Sequence, residues 1–247
     1  SSILTQAGYT TGMYTSPHLL QVNERMKING IDISNEELLT LAESVRLAVE
    51  EMSDPPTEFE RITAMALLYF QRRACQVVVL EVGLGGRLDA TNVIPAPDAA
   101  VIANIALEHT AVLGNTLEQI AREKAGIIKK GSSVVLYRQS PSVEAVVRDV
   151  CQQQGASLFV TDPARGRTVS RTLEGQTLNY RDRNHLFLPL PGAYQAKNAF
   201  AALEAVDALV REKGYRISEE AIRRGVALVR WPGRLEVLRH DPLVLVD

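Results

Sequence analysis

Several things are scarce in this chain, and each shortage closes off a class of protein. Cysteine occurs only at Cys75 and Cys151 in 247 residues, with no CxxC pair and no framework spacing. That excludes a disulfide scaffold and reads as two reduced thiols, so a cytoplasmic protein is expected. Basic charge is not in excess: Lys plus Arg number 27 against 29 for Asp plus Glu, a net charge of -2. Nothing in that balance points to nucleic acid as a partner. Apolar runs such as Val77 to Leu80 are far too short to cross a bilayer, so no membrane is expected either. The GxSxG and HExxH motifs are absent, and so is a GxxxxGK[ST] phosphate loop. Gly126 to Gly131 followed by Ser132 has the glycine spacing of that loop but Gly-Ser where Gly-Lys-Ser is needed. It also sits at the C-terminal end of a helical pattern, the wrong dipole end for phosphate. There is no initiator Met and no signal-peptide pattern. Ser1 to Leu4 reads as the middle of a helix and Leu243 to Asp247 as a buried strand cut at its last residue, so both flanks are expected to be missing.

What is present is the composition of an ordinary globular protein, 46% apolar and 23% charged, in a chain long enough to bury a real core. From Ser34 to Met52 the residues Leu38, Leu41, Ala42, Val45 and Val49 recur at helical spacing, and Ser34 with Glu37 reads as a capping box. Thr57 to Arg73 is a second helical stretch. Val77 to Val82, Ala99 to Ile105 and Ser133 to Leu136 are apolar runs of the kind that suits parallel strands covered on both faces. Thr116 to Lys129 lies between the last two as a helix with a Thr116–Gln119 box, and Ser142 to Gln154 reads as a further helix. This alternation predicts an α/β fold with a mainly parallel sheet flanked by helices. Short alternating stretches from Ser157 to Leu190 predict a small antiparallel subsheet, after which helices return at Gln195 to Lys213 and Ser218 to Val226. Trp231-Pro232-Gly233 punctuates the chain, and a new strand pattern starts at Leu235. The expected domains are therefore 1–234, and 235–247 as the first strand of another.

Six places along the chain carry chemical groups. Glu81-Val82-Gly83-Leu84-Gly85-Gly86-Arg87-Leu88-Asp89-Ala90-Thr91-Asn92 places a carboxylate at a strand end, followed by glycines that let backbone turn closely around a partner. Ligands in open α/β sheets bind there, although a Gly-rich turn with a solvated Glu81 explains the same residues. The third glycine of GxGxxG is absent. Asn104 to His109 again leaves polar groups beyond a strand; His109 with Glu81 would suit a divalent cation, or His109 is a hydrogen-bonded structural histidine. Glu123-Lys124 reads as an exposed charge pair on a helix. Ser16-Pro17-His18-Leu19 reads as a loop at a strand end, Pro191 to Asn198 as a helix start whose polar groups cap or touch a ligand, and Arg234 as a surface arginine or a phosphate clamp.

Together these segments resemble the folylpolyglutamate synthase and dihydrofolate synthase family of the Mur ligase superfamily. The resemblance runs in order over the chain: Thr15 to Leu19, Asn23-Glu24-Arg25, Thr57 to Glu60, Glu81 to Asn92, His109-Thr110 through Leu113-Gly114, Glu123 to Ile127, Pro191-Gly192 through Gln195 and Asn198, and Trp231 to Arg234. It implies an ATP-dependent amide ligase that joins L-glutamate to dihydropteroate or to folates through an acyl phosphate, with ATP and Mg²⁺. It implies Mg²⁺ on Ser16, Glu81 and His109, and catalytic roles for Glu81, His109 and a Lys124 carbamylated by CO₂, which becomes an anion able to hold or orient metal. It implies a pterin pocket of Thr57, Glu58, Phe59, Glu60, Leu88, Asp89 and Ala90, and ATP contacts at Asn198 (adenine), Arg234 (phosphate) and Asp247 (ribose). Family members look monomeric. Two departures are Glu108, where an Asp is common, and the flanks: the family's phosphate loop is expected upstream of Ser1 and its C-terminal domain after Asp247. The chain as given is therefore not expected to turn over. The rival readings are a non-catalytic folate- or nucleotide-binding relic and a cell-wall Mur ligase; the Thr15-Ser16-Pro17-His18-Leu19 and Glu81 to Asn92 wording argues against the second.

Overall fold

The computed structural model describes all 247 residues. They divide into two compact units, 1–84 with 88–93, and 85–87 with 94–247.

The first unit contains α1 (Ser2–Gln6), β1 (Thr11–Tyr14), β2 (Met26–Ile28), β3 (Ile31–Asp32), α2 (Asn35–Glu50), α3 (Glu58–Arg72) and β4 (Val77–Leu80). The strands form one mixed sheet in the order β3-β2-β1-β4, with β1 parallel to β4 and antiparallel to β2. In α3 the positions Ile62, Met65, Ala66, Tyr69 and Phe70 share one face, and they are buried with Tyr14, Met26, Ile33 and Leu41. Thr57 and Glu60 close a reciprocal capping box at the start of α3. At α2 only half of the expected box forms. Ser34 Oγ accepts from Glu37 N at 3.2 Å and donates to Glu37 Oε2, but the Ser34 N–H is not taken up by that carboxylate: Glu37 Oε1 accepts instead from Arg73, the C-cap of α3, 2.7 Å from its Nε.

The second unit contains β5 (Ala99–Ile102), α4 (Thr110–Leu113), α5 (Leu117–Ala125), β6 (Ser133–Leu136), α6 (Pro141–Gln154), β7 (Ser157–Val160), β8 (Gly166–Thr172), β9 (Gly175–Tyr180), β10 (Arg183–Leu188), α7 (Ala193–Lys213), α8 (Glu219–Ala227), β11 (Glu236–His240) and β12 (Leu243–Val246). Strands β5-β6-β7 make a parallel sheet, and β10-β9-β8 an antiparallel one. The α/β class is as expected. Two details differ. Ser157–Val160, expected among the antiparallel strands, joins the parallel sheet instead. Gly155, in the left-handed conformation, ends α6 there and sends the chain back alongside β6. Residues 235–247, expected as the first strand of a further domain with Leu243 to Asp247 buried, fold back as the β11–β12 hairpin. Leu243, Leu245 and Val246 stay exposed in it, because a two-stranded ribbon buries side chains only where another element covers its face.

Helices α7 and α8 are fastened to the antiparallel sheet by buried charge. Glu204 of α7, 2% exposed, accepts from the Tyr180 hydroxyl and pairs with Arg181 at 2.6 Å. Arg183 bridges Asp207 of α7, at 2.7 Å, and Glu219 of α8, at 2.9 Å. Tyr180 also stacks on Phe200, with ring centroids 4.5 Å apart. Replacing Glu204 by alanine leaves the buried Tyr180 phenol without its acceptor and leaves Arg181 only its longer pairing with Asp207, at 3.5 Å. Breaking a buried pair costs about 3 to 5 kcal/mol. The Arg181 side chain keeps 29% of its exposure and is partly resolvated, so about 2 kcal/mol is expected for Glu204→Ala. A urea titration showing an unchanged midpoint would contradict that network.

Candidate active site

In the first unit, β1 and β4 run parallel with Tyr14 opposite Leu80, so their carboxyl ends lie side by side. Ser16 follows one end and Glu81 the other. The Ser16 backbone N–H donates to Glu81 Oε2 at 2.8 Å, and Glu81 N continues the ladder to Tyr14 O at 2.9 Å. The remaining carboxylate oxygen and the serine hydroxyl are hard donors of the kind Mg²⁺ takes, at a strand end where a ligand has access. Those two residues therefore fit the implied ion. No group of three or more His, Cys, Asp or Glu side chains gathers as a metal cluster.

The loop after β1 is built by one acid. Glu24 accepts the backbone N–H groups of Leu19, Leu20 and Gln21 at 2.8 to 3.0 Å, and these bonds hold its carboxyl below the usual range. Beside it Arg25 Nε donates to His18 Nδ1 at 2.8 Å. A guanidinium has no acceptor to offer, so His18 carries its proton on Nε2. The sequence pattern did not single out this pair for itself; the positive charge at Arg25, seven residues from His18, was its only trace.

The expected pterin residues are in place but several are occupied. Thr57 and Glu60 cap α3, Thr57 N reaching Glu60 Oε2 at 2.7 Å, and the Thr57 bonds lower the Glu60 carboxyl. Asp89 is saturated: Oδ2 accepts from Gly83 N at 3.0 Å and Leu84 N at 2.9 Å, while Oδ1 accepts from Thr91 N and Oγ1. It staples the Gly-rich turn. The Phe59 ring lies so close to Gly83 that a Cβ there would sit 2.6 Å from its Cζ, and the ring centroid is 6.2 Å from that of Tyr14. Glu58 and Leu88 are exposed, Leu88 by 80%, and Ala90 is half-buried.

The second unit holds the other expected residues. His109 is the residue before α4 and adopts a left-handed backbone, φ 50° and ψ 39°, uncommon for a residue with a side chain. Its imidazole is exposed and makes no hydrogen bond. Lys124 is half-buried in the last turn of α5. Its neighbour Glu123 is not a free surface charge but a partner of Arg87, whose guanidinium spans both carboxylate oxygens at 3.0 to 3.3 Å. Arg87 N also donates to Glu123 O at 2.9 Å. Asn198 sits in the second turn of α7, its Oδ1 accepting from the Tyr137 hydroxyl and its Nδ2 donating to Gln195 at 3.0 Å. Tyr137 went unnoticed in the sequence; its place just past the buried run Val134 to Leu136 was the available signal. Asp247 Oδ1 accepts from Leu235 N at 3.2 Å and from the Tyr194 hydroxyl at 3.4 Å, which brings it to the first turn of α7. Arg234 is exposed beside this contact. Helix α7 begins at Gly192 with no side-chain cap, so its first N–H groups are open to an anion.

Compared with known families, the Mur ligase middle domain matches residues 10–206. The chain belongs to the Mur ligase middle-domain family. Within that family it is similar to the dihydrofolate synthase/folylpolyglutamate synthase of Bacillus subtilis (strain 168), 38% identical over 256 residues, covering 100% of this chain and 59% of that protein. The folylpolyglutamate synthase of Lacticaseibacillus casei is 35% identical over 257 residues, covering 99% of this chain and 59% of that protein. Among solved structures, a folylpolyglutamate synthase–AMPPCP complex superposes with a TM-score of 0.93 at 35% identity, over 100% of this chain and 63% of that one. The Mycobacterium tuberculosis folylpolyglutamate synthase complexed with ADP gives 0.89 at 35% identity, over 100% and 57%. This Mur ligase middle domain thus spans about 59% of the length of the curated relatives it matches. None of its helices is long and apolar enough to cross a membrane.

Proposed function

We propose that this chain belongs to an ATP-dependent amide ligase that adds L-glutamate to dihydropteroate, to folates, or to both. The observation that carries the reading is the likeness along the entire chain to a folylpolyglutamate synthase solved with AMPPCP, supported by a second such structure solved with AMPPCP and folate. A substrate carboxylate oxygen attacks the γ-phosphorus of ATP, the bond to ADP breaks, and an acyl phosphate forms. The glutamate amine attacks the acyl carbon, the C–O bond to phosphate breaks, and the amine gives up a proton. Such chemistry depends on positioning and charge neutralisation. Mg²⁺, when bound, supplies positive charge to the phosphate oxygens.

The chain's own residues divide the remaining work. Ser16, Glu81 and His109 would hold the ion, and a carbamate on Lys124 would orient it. Asn198 meets adenine, Asp247 the ribose and Arg234 the phosphates. Thr57, Glu58, Phe59, Glu60, Leu88, Asp89 and Ala90 line the pterin side, where Asp89 and the Thr57–Glu60 box shape the wall by holding backbone. Residues 1–234 form the ATP-binding domain, 235–247 belong to the ligase domain, and the protein works as a monomer in the cytoplasm. The complete gene product, given ATP, Mg²⁺ and L-glutamate, is expected to add a glutamyl unit to dihydropteroate, tetrahydrofolate or both, read by mass spectrometry. A folded, ATP-binding protein that extends neither acceptor would refute the assignment.

A further inference from the structure

Tyr137 stands one residue beyond the central strand β6, with its ring packed among Val135, Ala201, Phe159 and Ala205. Its hydroxyl has one partner, Asn198 Oδ1. On the other side Asn198 Nδ2 donates to Gln195 Oε1, and Gln195 is itself only 6% exposed. An exposed amide is therefore gripped between two buried side chains. An ungripped asparagine turns about its last torsion and offers a ligand either its oxygen or its nitrogen. Here such a turn would bring Nδ2–H to the phenol oxygen and leave the phenol hydrogen buried without an acceptor. It would also set Oδ1 against Gln195 Oε1 unless the Gln195 amide turned with it. Burial pushes the Tyr137 phenol well above its ordinary range, which keeps it protonated and therefore a donor.

In the gripped state the amide keeps one Oδ1 lone pair and one Nδ2 hydrogen for a ligand. That acceptor–donor pair matches the edge of a 6-aminopurine, whose amino group donates and whose ring nitrogen accepts. A 6-oxopurine presents two acceptors on its N7 edge and an acceptor beside a donor on its N1 edge, so on either edge Oδ1 would face an oxygen. We propose that Tyr137 is a positioning residue that locks the Asn198 amide and thereby makes the site select 6-aminopurine over 6-oxopurine nucleotides. This rests on the proposed role of Asn198 as the adenine contact.

The test compares ATP with ITP in the complete enzyme, as wild type, as Tyr137→Phe and as Gln195→Met. Tyr137→Phe keeps the ring and its packing; Gln195→Met removes the other grip at similar volume. Losing one neutral hydrogen bond that orders a ligand group corresponds to about a three- to tenfold effect. In each variant KM for ATP is expected to rise by about that factor with kcat little changed, while KM for ITP stays level or falls. The ATP-over-ITP preference then drops about threefold or more. Equal losses for both nucleotides, together with a lowered melting temperature, would mean that Tyr137 only supports the fold, and would overturn the proposal. An unchanged preference in both variants would overturn it too, while leaving the ligase reading standing. A wild type that binds neither nucleotide would bring down the ligase reading, and this proposal with it. Should Tyr137→Phe fail to fold, Gln195→Met decides by the same ratio.

Discussion

Alanine at Gly126 is expected to destabilise the protein by about 2 kcal/mol, although helix propensity alone argues the other way. Gly126 caps α5 with φ -62° and ψ -12°, a helical conformation that alanine adopts readily. Were nothing nearby, the substitution would stabilise by about 0.5 to 1 kcal/mol through the unfolded chain. A Cβ there, however, would lie 2.4 Å from Arg87 Cβ, 2.5 Å from Arg87 Cα and 2.9 Å from Arg87 N. Backbone cannot swing aside as a side-chain tip does, and overpacking of this kind costs about 1 to 3 kcal/mol or more. The opposite wall is equally tight: a Cβ on Gly86 would meet the carbonyl oxygens of Glu123 and Lys124, each at 2.9 Å. The two glycines thus serve one seam, in which the Gly-rich turn lies against the last turn of α5. Gly86→Ala added to Gly126→Ala should cost less than it does alone, since the first change has already opened the seam. Urea midpoints for the two single variants and the double variant measure this. A Gly126→Ala protein as stable as the parent would mean that the close approach does not exist.

Lysine 124 carries the second large effect, on activity rather than stability. Its side chain has no hydrogen-bonded partner, and alanine is a strong helix former in the last turn of α5, so Lys124→Ala should shift stability by no more than about 0.5 kcal/mol. Under the proposed function the same change is expected to lower glutamate addition by the complete enzyme by ~10³-fold, the scale on which losing one preorganised charged group acts. A lysine that forms a carbamate does so as the neutral amine, attacking CO₂ and losing a proton. Arginine cannot substitute, because its guanidinium stays protonated. Lys124→Arg should therefore be as inactive as Lys124→Ala, while formate or acetate added to Lys124→Ala should restore part of the rate. Turnover by Lys124→Ala within tenfold of wild type would remove Lys124 from the catalytic machinery.

How much of this was legible beforehand depends on whether the signal is local. The Thr57–Glu60 and Thr116–Gln119 boxes appear where spacing places them, because both partners lie within one turn of chain. The Ser34–Glu37 box does not close fully, because Arg73, far away in sequence, competes for the same carboxylate. The runs Val77 to Leu80 and Ser133 to Leu136 look alike as text. Yet β6 is buried throughout between two neighbours, while β4, paired only to β1, leaves Val78 36% exposed. Nothing within four residues states how many strands will lie alongside.

The candidate site divides in the same way. From its residues alone the chain declared an α/β fold, the capped starts of α3 and α5, and strand-end positions for Ser16 and Glu81, since period and capping are properties of neighbouring residues. Tertiary structure alone decided that Ser16 N–H would meet the Glu81 carboxylate, that Glu123 would serve Arg87, and that Asn198 would be held between Tyr137 and Gln195. Those pairings join residues brought together by packing, and hydrogen bonds between distant segments are set by which surfaces close on one another rather than by any spacing along the chain.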